Sequence, residues 1–184
     1  MSLESIQNAL PDYAKDIKLN LSGFMNETDM TEQQTWGTLF ACALATGNEF
    51  VIREIESEAK ARLSTEAFQG AKAAASIMAM NNVYYKFVGM IANEEYKTMP
   101  AKLRMNILAS HGTDKIDFEL WALAVSAMNG CKFCVDAHDK KLRDHGVSAV
   151  IVQTAVRMAA VIQATSATLA AESAMSSTPM AKAA

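Results

Sequence analysis

Two cysteines and a histidine in the second half of the chain have the types and the spacing for thiol chemistry. Cys131 and Cys134 form a Cys-x-x-Cys pair, and His138 follows the second cysteine by four residues. On a helix these residues lie on one face, and cysteines three apart have a Cα separation of about 5–5.5 Å, which a disulfide can bridge. The imidazole would then lie over the second thiol. This pattern is typical of a redox-active dithiol or of part of a metal site.

Each cysteine has a reason to be the more reactive thiol. Cys131 comes directly after Gly130 at a predicted helix N-terminus, where unpaired backbone N–H groups and the helix dipole favour a thiolate. Cys134 lies one turn further along, but His138 beside it can accept its proton and hold the thiolate as an ion pair. The residues alone leave both assignments open.

A zinc site is the alternative chemistry. Cys131, Cys134 and His138 could supply three ligands, but a structural site needs a fourth, and His145 is too far along the chain for the usual His pair. Cys42 is predicted to be a small buried apolar side chain on a core helix. We therefore predict that no metal is bound.

The other histidines and the basic side chains near the thiols have structural interpretations. His111, next to Gly112, is predicted to cap a helix end, and His145, before Gly146, to interact with a helix C-terminus. A solvated helix surface is the predicted place of four further side chains: Lys132, Lys140, Lys141 and Arg143.

Glu119 interrupts an otherwise apolar helical segment. A carboxylate on a buried face needs a partner or a raised pKa. An exposed acid in the first turn of a helix would be stabilised by the helix dipole instead. The periodicity of the segment favours neither alternative.

Composition predicts an all-α fold. The chain has 184 residues, of which 51% are apolar, with 12 Met and only 3 Pro, and it lacks the alternating pattern of strands. The net charge of −3 and the absence of a basic run argue against nucleic-acid binding. The N-terminus has no apolar h-region and no uninterrupted apolar run reaches about 18 residues, so we expect no membrane contact and a cytoplasmic protein. In such a reducing compartment a Cys-x-x-Cys pair is typically catalytic or metal-binding.

Capping and helix-breaking residues predict the helix order. A segment over 2–19 is interrupted at Pro11, and Thr31 begins a capping box with Gln34. The helices predicted after this segment cover 31–47, 49–63, 65–81, 83–92, 100–110, 115–128, 131–146 and 148–174.

A weak internal repeat relates the two halves of the chain. Trp36 and Trp121 are 85 residues apart, and each begins the same succession of a helix, a Gly/Asn turn, a charged helix and a long Ala-rich helix. We predict one domain over 1–184, with duplicated lobes of about 1–95 and 96–175 and a flexible tail over 176–184. Ala-rich helices need close neighbours to bury enough area, which predicts a tightly packed bundle and an oligomer.

Three segments resemble a known family. They are 103–112, 114–121 with Glu119, and 124–138 with Cys131, Cys134 and His138. Together they resemble the alkyl hydroperoxidase D (AhpD) family of the carboxymuconolactone-decarboxylase-like superfamily. The resemblance is strongest over about 100–147, while length and helix order fit over nearly the whole chain.

This resemblance implies an AhpD-like, internally duplicated all-α bundle that forms a homotrimer. It implies an antioxidant oxidoreductase, a lipoamide-dependent peroxidase that reduces organic hydroperoxides and hydrogen peroxide and holds no bound cofactor. The implied partners are a peroxiredoxin of the alkyl hydroperoxide reductase C type, which it reduces, and the lipoylated acyltransferase of a 2-oxoacid dehydrogenase complex. Dihydrolipoamide on that acyltransferase would supply electrons, kept reduced by lipoamide dehydrogenase and NADH.

The resemblance also implies a role for each site residue. Cys134 would be the peroxidatic nucleophile, against the dipole argument, and Cys131 the proton donor and resolving thiol that closes a redox disulfide. Glu119 and His138 would form the proton relay. The family often has a His where this chain has Phe133, so a slower peroxidase is expected.

Three alternatives stay open beside this interpretation. One is a thiol redox sensor or partner reductant without peroxidase turnover, which the departure at Phe133 keeps open. Another is a carboxymuconolactone-type decarboxylase, against which the dithiol argues. The last is a structural zinc domain.

Overall fold

The computed structural model of this chain describes residues 2–176, and these fold into helices joined by short turns. The helices are α1 (Ser2–Ala9), α2 (Lys15–Gly23), α3 (Glu32–Thr46), α4 (Glu49–Arg62), α5 (Thr65–Met90), α6 (Glu95–Thr98), α7 (Lys115–Met128), α8 (Lys132–Asp144) and α9 (Ala149–Ser176). Three short 3₁₀ turns cover Asp12–Ala14, Phe24–Asn26 and Asn106–Leu108. No strand occurs within 2–176, so the predicted all-α class is confirmed.

Helices α3 and α7 form the centre of the bundle. Helix α3 packs against α4, α5, α7 and α9, and α7 packs against α3, α5, α8 and α9. Every residue over 35–43 in α3 and over 117–126 in α7 is buried. Cys131, at the N-cap of α8, and Cys134, in its first turn, therefore lie directly after a buried central helix.

Glycine permits the close approach of the two central helices. A Cβ atom at Gly37 of α3 would overlap the indole ring of Trp121 in α7. Trp121 is fully buried and is among the largest side chains of the core. Because side chains in a packed core have little freedom to move aside, the residue at position 37 decides how near α3 can lie to α7.

Local signals end and begin the helices as predicted. Thr31 Oγ1 accepts a hydrogen bond from the N–H of Gln34, and the Gln34 side chain accepts one from the N–H of Thr31, which completes the predicted capping box. Gly47, with φ of 70°, ends α3 in the left-handed conformation that glycine adopts without strain. The Asp114 carboxylate accepts the N–H groups of residues 116 and 117 and caps α7.

Two predicted helices were wrong. Helix α5 runs without a break through Asn81 and Asn82, where we expected one helix to end, because hydrogen bonds across the bundle use the Asn82 side chain. The predicted helix over 100–110 is absent apart from the 3₁₀ turn at Asn106–Leu108. Lys102 there has φ of 51°, a left-handed conformation that interrupts a right-handed helix.

The two halves of the chain contain helices of similar lengths. Helices α3, α4 and α5 have 15, 14 and 26 residues, and α7, α8 and α9 have 14, 13 and 28. The duplicated lobes and the oligomer stay predictions. Ser176, expected to begin a flexible tail, is instead the last residue of α9, and 177–184 lie outside the described residues.

Helix α9 is the one helix within 2–176 that is long and apolar enough to cross a membrane by length and composition. It packs against α2, α3 and α7, and it buries Ala155, Met158, Ala159 and Ile162 in the core. Core helices pass the same test, so this is weak evidence for a membrane span.

Candidate active site

The turn between α7 and α8 places the two cysteines at the start of α8. Gly130 has φ of 66°, which reverses the chain, and the Cys131 N–H donates to the carbonyl of Ser126 at 3.1 Å. Cys131 then precedes the first residue of α8, and its Sγ accepts the N–H of Cys134 at 3.3 Å. Sulfur thus takes the place of a capping oxygen at this helix N-terminus.

Cys131 and Cys134 are joined by a disulfide in the structure, with their Cα atoms 5.3 Å apart. Both residues are buried, Cys131 completely and Cys134 with 4% of its surface exposed. A Cα separation of this size suits a disulfide and permits the dithiol with little backbone movement. The same backbone geometry is thus compatible with both the disulfide and the dithiol.

Glu119 lies in α7 and is buried, with 4% of its surface exposed, so the exposed alternative is excluded. One carboxylate oxygen, Oε2, lies 2.6 Å from Nδ1 of His138. The other, Oε1, accepts a hydrogen bond from Nζ of Lys141 at 2.8 Å. Burial raises the pKa of the Glu119 carboxyl, but the hydrogen bonds and charges of His138 and Lys141 outweigh it and hold this pKa below its ordinary value.

Lys141 corrects the prediction that this side chain belongs to a solvated surface. Its side chain is half-exposed, but its ammonium group forms an ion pair with buried Glu119. Lys132 and Lys140 do lie on the surface, where they pair with acidic residues four positions further along α8. The sequence could have distinguished Lys141 from the other two lysines. Lys141 follows Cys134 by seven residues and His138 by three, so all three lie on one face of the helix.

Met78 is a site residue that sequence reasoning missed. Its Sδ lies 3.4 Å from Nε2 of His138, on the side of the ring opposite Glu119, and accepts the hydroxyl of Ser126 at 3.3 Å. A thioether is a weak acceptor, whereas the carboxylate at Nδ1 is a strong one. Nε2 is therefore the ring nitrogen that faces no strong acceptor. Met78 lies 60 residues before His138 and nothing in its local sequence indicates this contact.

A cavity of about 160 Å³ lies beside the second cysteine. Cys134, His138 and Lys141 line one part of it, and its other walls are mostly apolar. Phe133, which is 55% exposed, stacks on Tyr85 with ring centroids 4.9 Å apart, and both rings line the cavity. Apolar cavities of about 150 Å³ in proteins can bind benzene, so this one has room for a small organic group.

Comparisons with a family model and with curated relatives agree on one family. The model of the Carboxymuconolactone decarboxylase family matches residues 94–176. The alkyl hydroperoxide reductase AhpD of Maricaulis maris is 56% identical over 173 residues, which are 94% of this chain and 100% of that protein. Those of Hyphomonas neptunium and Streptomyces coelicolor are each 51% identical, over 97% and 94% of this chain and 99% and 97% of their own lengths.

The chain belongs to the AhpD family. Its relatives in that family carry the name of alkyl hydroperoxide reductases, and membership supports a role of that type for this chain. The family match over residues 94–176 includes α7 and α8, and with them Glu119, both cysteines of the Cys-x-x-Cys pair and His138. The roles of these residues stay predictions.

Within the described residues, Cys42, His111 and His145 make no hydrogen bond to Glu119, His138 or the cysteine pair. Cys42 is completely buried, as predicted, and burial raises the pKa of its thiol. His145 donates through Nδ1 to a carbonyl at the end of α8, as predicted. The prediction for His111 was wrong, because its ring stacks on Phe118 with centroids 4.1 Å apart instead of capping a helix.

A metal site finds no support in the geometry. Within the part of the chain that the structure describes, no group of three or more His, Cys, Asp or Glu side chains is arranged to hold a metal ion.

Proposed function

We propose that this protein is a lipoamide-dependent peroxidase that reduces organic hydroperoxides and hydrogen peroxide through Cys131 and Cys134. The observation that carries the proposal is that Cys134, paired with Cys131, lines one mostly apolar cavity together with His138, which is hydrogen-bonded to buried Glu119. A thiol next to a histidine that is oriented by a buried carboxylate has the arrangement of an activated nucleophile.

Cys134 is the proposed nucleophile because it lines the cavity together with His138, whereas Cys131 lies at the capping position behind it. The thiol of Cys134 gives its proton to Nε2 of His138, and the charge of Glu119 stabilises the imidazolium. The thiolate attacks the terminal oxygen of the hydroperoxide. A sulfur–oxygen bond forms, the O–O bond breaks, and the leaving alkoxide takes the proton back as an alcohol.

The resulting sulfenic acid is resolved by Cys131. Its sulfur attacks that of Cys134, the sulfur–oxygen bond breaks, and hydroxide leaves with the proton of the Cys131 thiol as water. Dihydrolipoamide then returns the two electrons by thiol–disulfide exchange and leaves as the cyclic disulfide. No bound cofactor takes part in these steps.

The electron donor and the partners extend the same proposal. The donor is the lipoyl group on the acyltransferase of a 2-oxoacid dehydrogenase complex, kept reduced by lipoamide dehydrogenase. The dithiol would also reduce a peroxiredoxin of the alkyl hydroperoxide reductase C type. We further propose that the protein works in the cytoplasm as a homotrimer, since its Ala-rich helices favour close neighbours.

A second candidate is the partner reductant or thiol sensor without peroxide turnover. The observation that favours it is Phe133, an apolar ring at the cavity where the family often has a histidine. Without a second base the thiolate forms less readily, while thiol exchange at the cysteine pair is still possible.

One coupled assay distinguishes the two candidates. Purified protein is mixed with lipoamide, lipoamide dehydrogenase, NADH and cumene hydroperoxide, and NADH oxidation is followed. We expect turnover that is lost in Cys134→Ser and kept in Cys42→Ser, which changes a buried cysteine outside the site. Absence of turnover in the wild type, with the disulfide still reduced by dihydrolipoamide, would reject the peroxidase and favour the second candidate.

A further inference from the structure

Asn81 is a buried polar residue with an unused hydrogen-bonding group. Only 4% of its surface is exposed, and its Oδ1 atom is buried without a hydrogen-bond partner in the described part of the chain. An amide oxygen left unpaired in the interior destabilises the folded protein, because water bonded to it in the unfolded chain. Such an orphan acceptor in a native structure calls for a physical explanation.

The neighbouring Asn82 is the natural comparison, since its carboxamide is fully used. It donates to Ser126 Oγ at 2.9 Å and accepts from the side chain of Asn129 at 2.9 Å, which joins α5 to the end of α7. Asn82 thus has a structural role. Asn81, the preceding residue, lies on a different face of α5. There its Oδ1 gains no protein hydrogen bond in place of those it made to water in the unfolded chain.

The position of Asn81 explains its unpaired Oδ1 atom. It lines the cavity of about 160 Å³ that Cys134, His138 and Lys141 also line. The remaining walls of that cavity are apolar or aromatic, so the carboxamide is a neutral polar group there, and rotation about its χ2 can turn it toward a ligand.

We propose that the carboxamide of Asn81 is the hydrogen-bonding contact that holds the O–O–H group of the hydroperoxide at Cys134. This inference rests on the proposed peroxidase function. Oδ1 accepts the hydrogen of the terminal peroxide oxygen, the atom that the thiolate attacks. A hydroperoxide would supply the hydrogen bond that Oδ1 lost when it was buried. Because the amide carries no net charge, it would not oppose the negative charge of the Cys134 thiolate.

The same hydrogen bond can exist before and after the chemical step. The thiolate of Cys134 attacks the terminal oxygen, the O–O bond breaks, and the alkoxide leaves with the proton held by His138. The hydrogen on the attacked oxygen stays in place and becomes the hydrogen of the sulfenic acid, so Asn81 can keep it as the sulfur–oxygen bond forms. Reduction of the disulfide by dihydrolipoamide involves no such O–H group, and it does not need this contact.

The variant Asn81→Leu tests the proposal, with Asn82→Leu as the matched structural control. Stopped-flow fluorescence follows oxidation of the reduced protein by cumene hydroperoxide and by hydrogen peroxide, and a second mixing follows reduction by dihydrolipoamide. We expect Asn81→Leu to slow oxidation by both peroxides by about tenfold, the effect of one hydrogen bond. Reduction by dihydrolipoamide should stay within about twofold of the wild type, since that step presents no O–H group to the carboxamide.

Urea unfolding separates a ligand contact from a structural role. Asn81→Leu should unfold at the same or a higher urea concentration because it removes an unpaired buried oxygen, whereas Asn82→Leu should unfold at a lower one. If Asn81→Leu does not fold, Asn81→Ala removes the same group without adding bulk and takes its place.

Three outcomes would overturn the proposal. If Asn81→Leu is oxidised at the wild-type rate, the proposed hydrogen bond to the hydroperoxide does not exist. Slowing with cumene hydroperoxide alone means that Asn81 only shapes the apolar walls, and equal slowing of oxidation and reduction means that it only positions the thiols. A wild type that reacts with neither peroxide rejects the proposed function, and with it this inference, whereas the first three results reject the inference alone.

Discussion

Lys141→Gln is the change that most directly tests the electrostatics of the site. It keeps a long polar side chain but removes the positive charge that lies 2.8 Å from the Glu119 carboxylate. Two unit charges at that distance attract by about 1.5 kcal/mol in bulk water and by about 6 kcal/mol at an effective dielectric constant of 20. The Lys141 side chain is 48% exposed, so solvent screening and the ordering of the side chain offset much of this attraction. We expect a net loss of about 1–2 kcal/mol in the free energy of unfolding at pH 7.

The pH dependence of that loss has a definite sign. The pKa of the Glu119 carboxyl is lowered in the folded protein, so its contribution to stability is present above the ordinary carboxyl pKa and is lost as the pH falls through the folded pKa. The difference between wild type and Lys141→Gln should therefore be constant near neutral pH. It should shrink below the ordinary value of 4.5 and approach zero when Glu119 is protonated in both proteins.

Urea unfolding between pH 3 and pH 8 measures this difference. Lys140→Gln is the matched control, because Lys140 forms an exposed pair with Asp144 on the same helix and its loss should change stability by less than about 0.5 kcal/mol. Lys141→Arg, which keeps the charge, should restore most of the stability. In stopped-flow oxidation, Lys141→Gln should slow the reaction by at most about tenfold, the rate equivalent of 1.4 kcal/mol.

Two results would refute the reasoning about Lys141. One is a stability difference that persists unchanged at acid pH, which would mean that the lysine acts through packing of its aliphatic stem. The other is an equal loss in Lys140→Gln, which would mean that α8 responds to its total charge and not to the pair with Glu119.

Two further predictions concern the scaffold. Gly37→Ala should lower the free energy of unfolding by about 1–3 kcal/mol, since its methyl group would overlap Trp121, whereas Gly89→Ala, which meets open space on the same type of helix, should be neutral or stabilising by up to about 1 kcal/mol. Thermal unfolding of the pair checks this, and equal melting temperatures would contradict the packing argument. Thr31→Ala should cost about 1 kcal/mol by removing the cap that bonds the N–H of Gln34, as measured by urea unfolding, and an unchanged midpoint would mean that water replaces the cap.

Local features of the bundle could be read from the sequence because they depend on residues a few positions apart. The capping box at Thr31 and the cap at Asp114 involve a side chain and backbone N–H groups two or three residues further along. The spacing of Cys131, Cys134 and His138 likewise follows from helix geometry. Such contacts form wherever the local conformation does, so the pattern predicts them without knowledge of the rest of the fold.

The burial of Glu119 and the identity of its partners could not be predicted from the local sequence pattern. Both a buried and an exposed carboxylate agree with its sequence, and only the packing of α7 at the centre of the bundle makes it buried. That burial then requires partners, and the approach of α8 supplies them as His138 and Lys141. Lys140 has the same chemistry as Lys141 but faces solvent, so composition alone cannot separate the two.

The helical class, the caps at Thr31 and Asp114, the Cys-x-x-Cys pair with its histidine and the family could all be predicted from the chain. The continuation of α5 past Asn81, the contact of Met78 with the histidine ring and the unpaired Oδ1 of Asn81 in the cavity of Cys134 could not. These two groups of features differ in the range of the contacts that fix them. Hydrogen bonds within a helix are set by neighbours along the chain, whereas burial and the choice of partner are set by helices that are distant in sequence and meet only when the core packs.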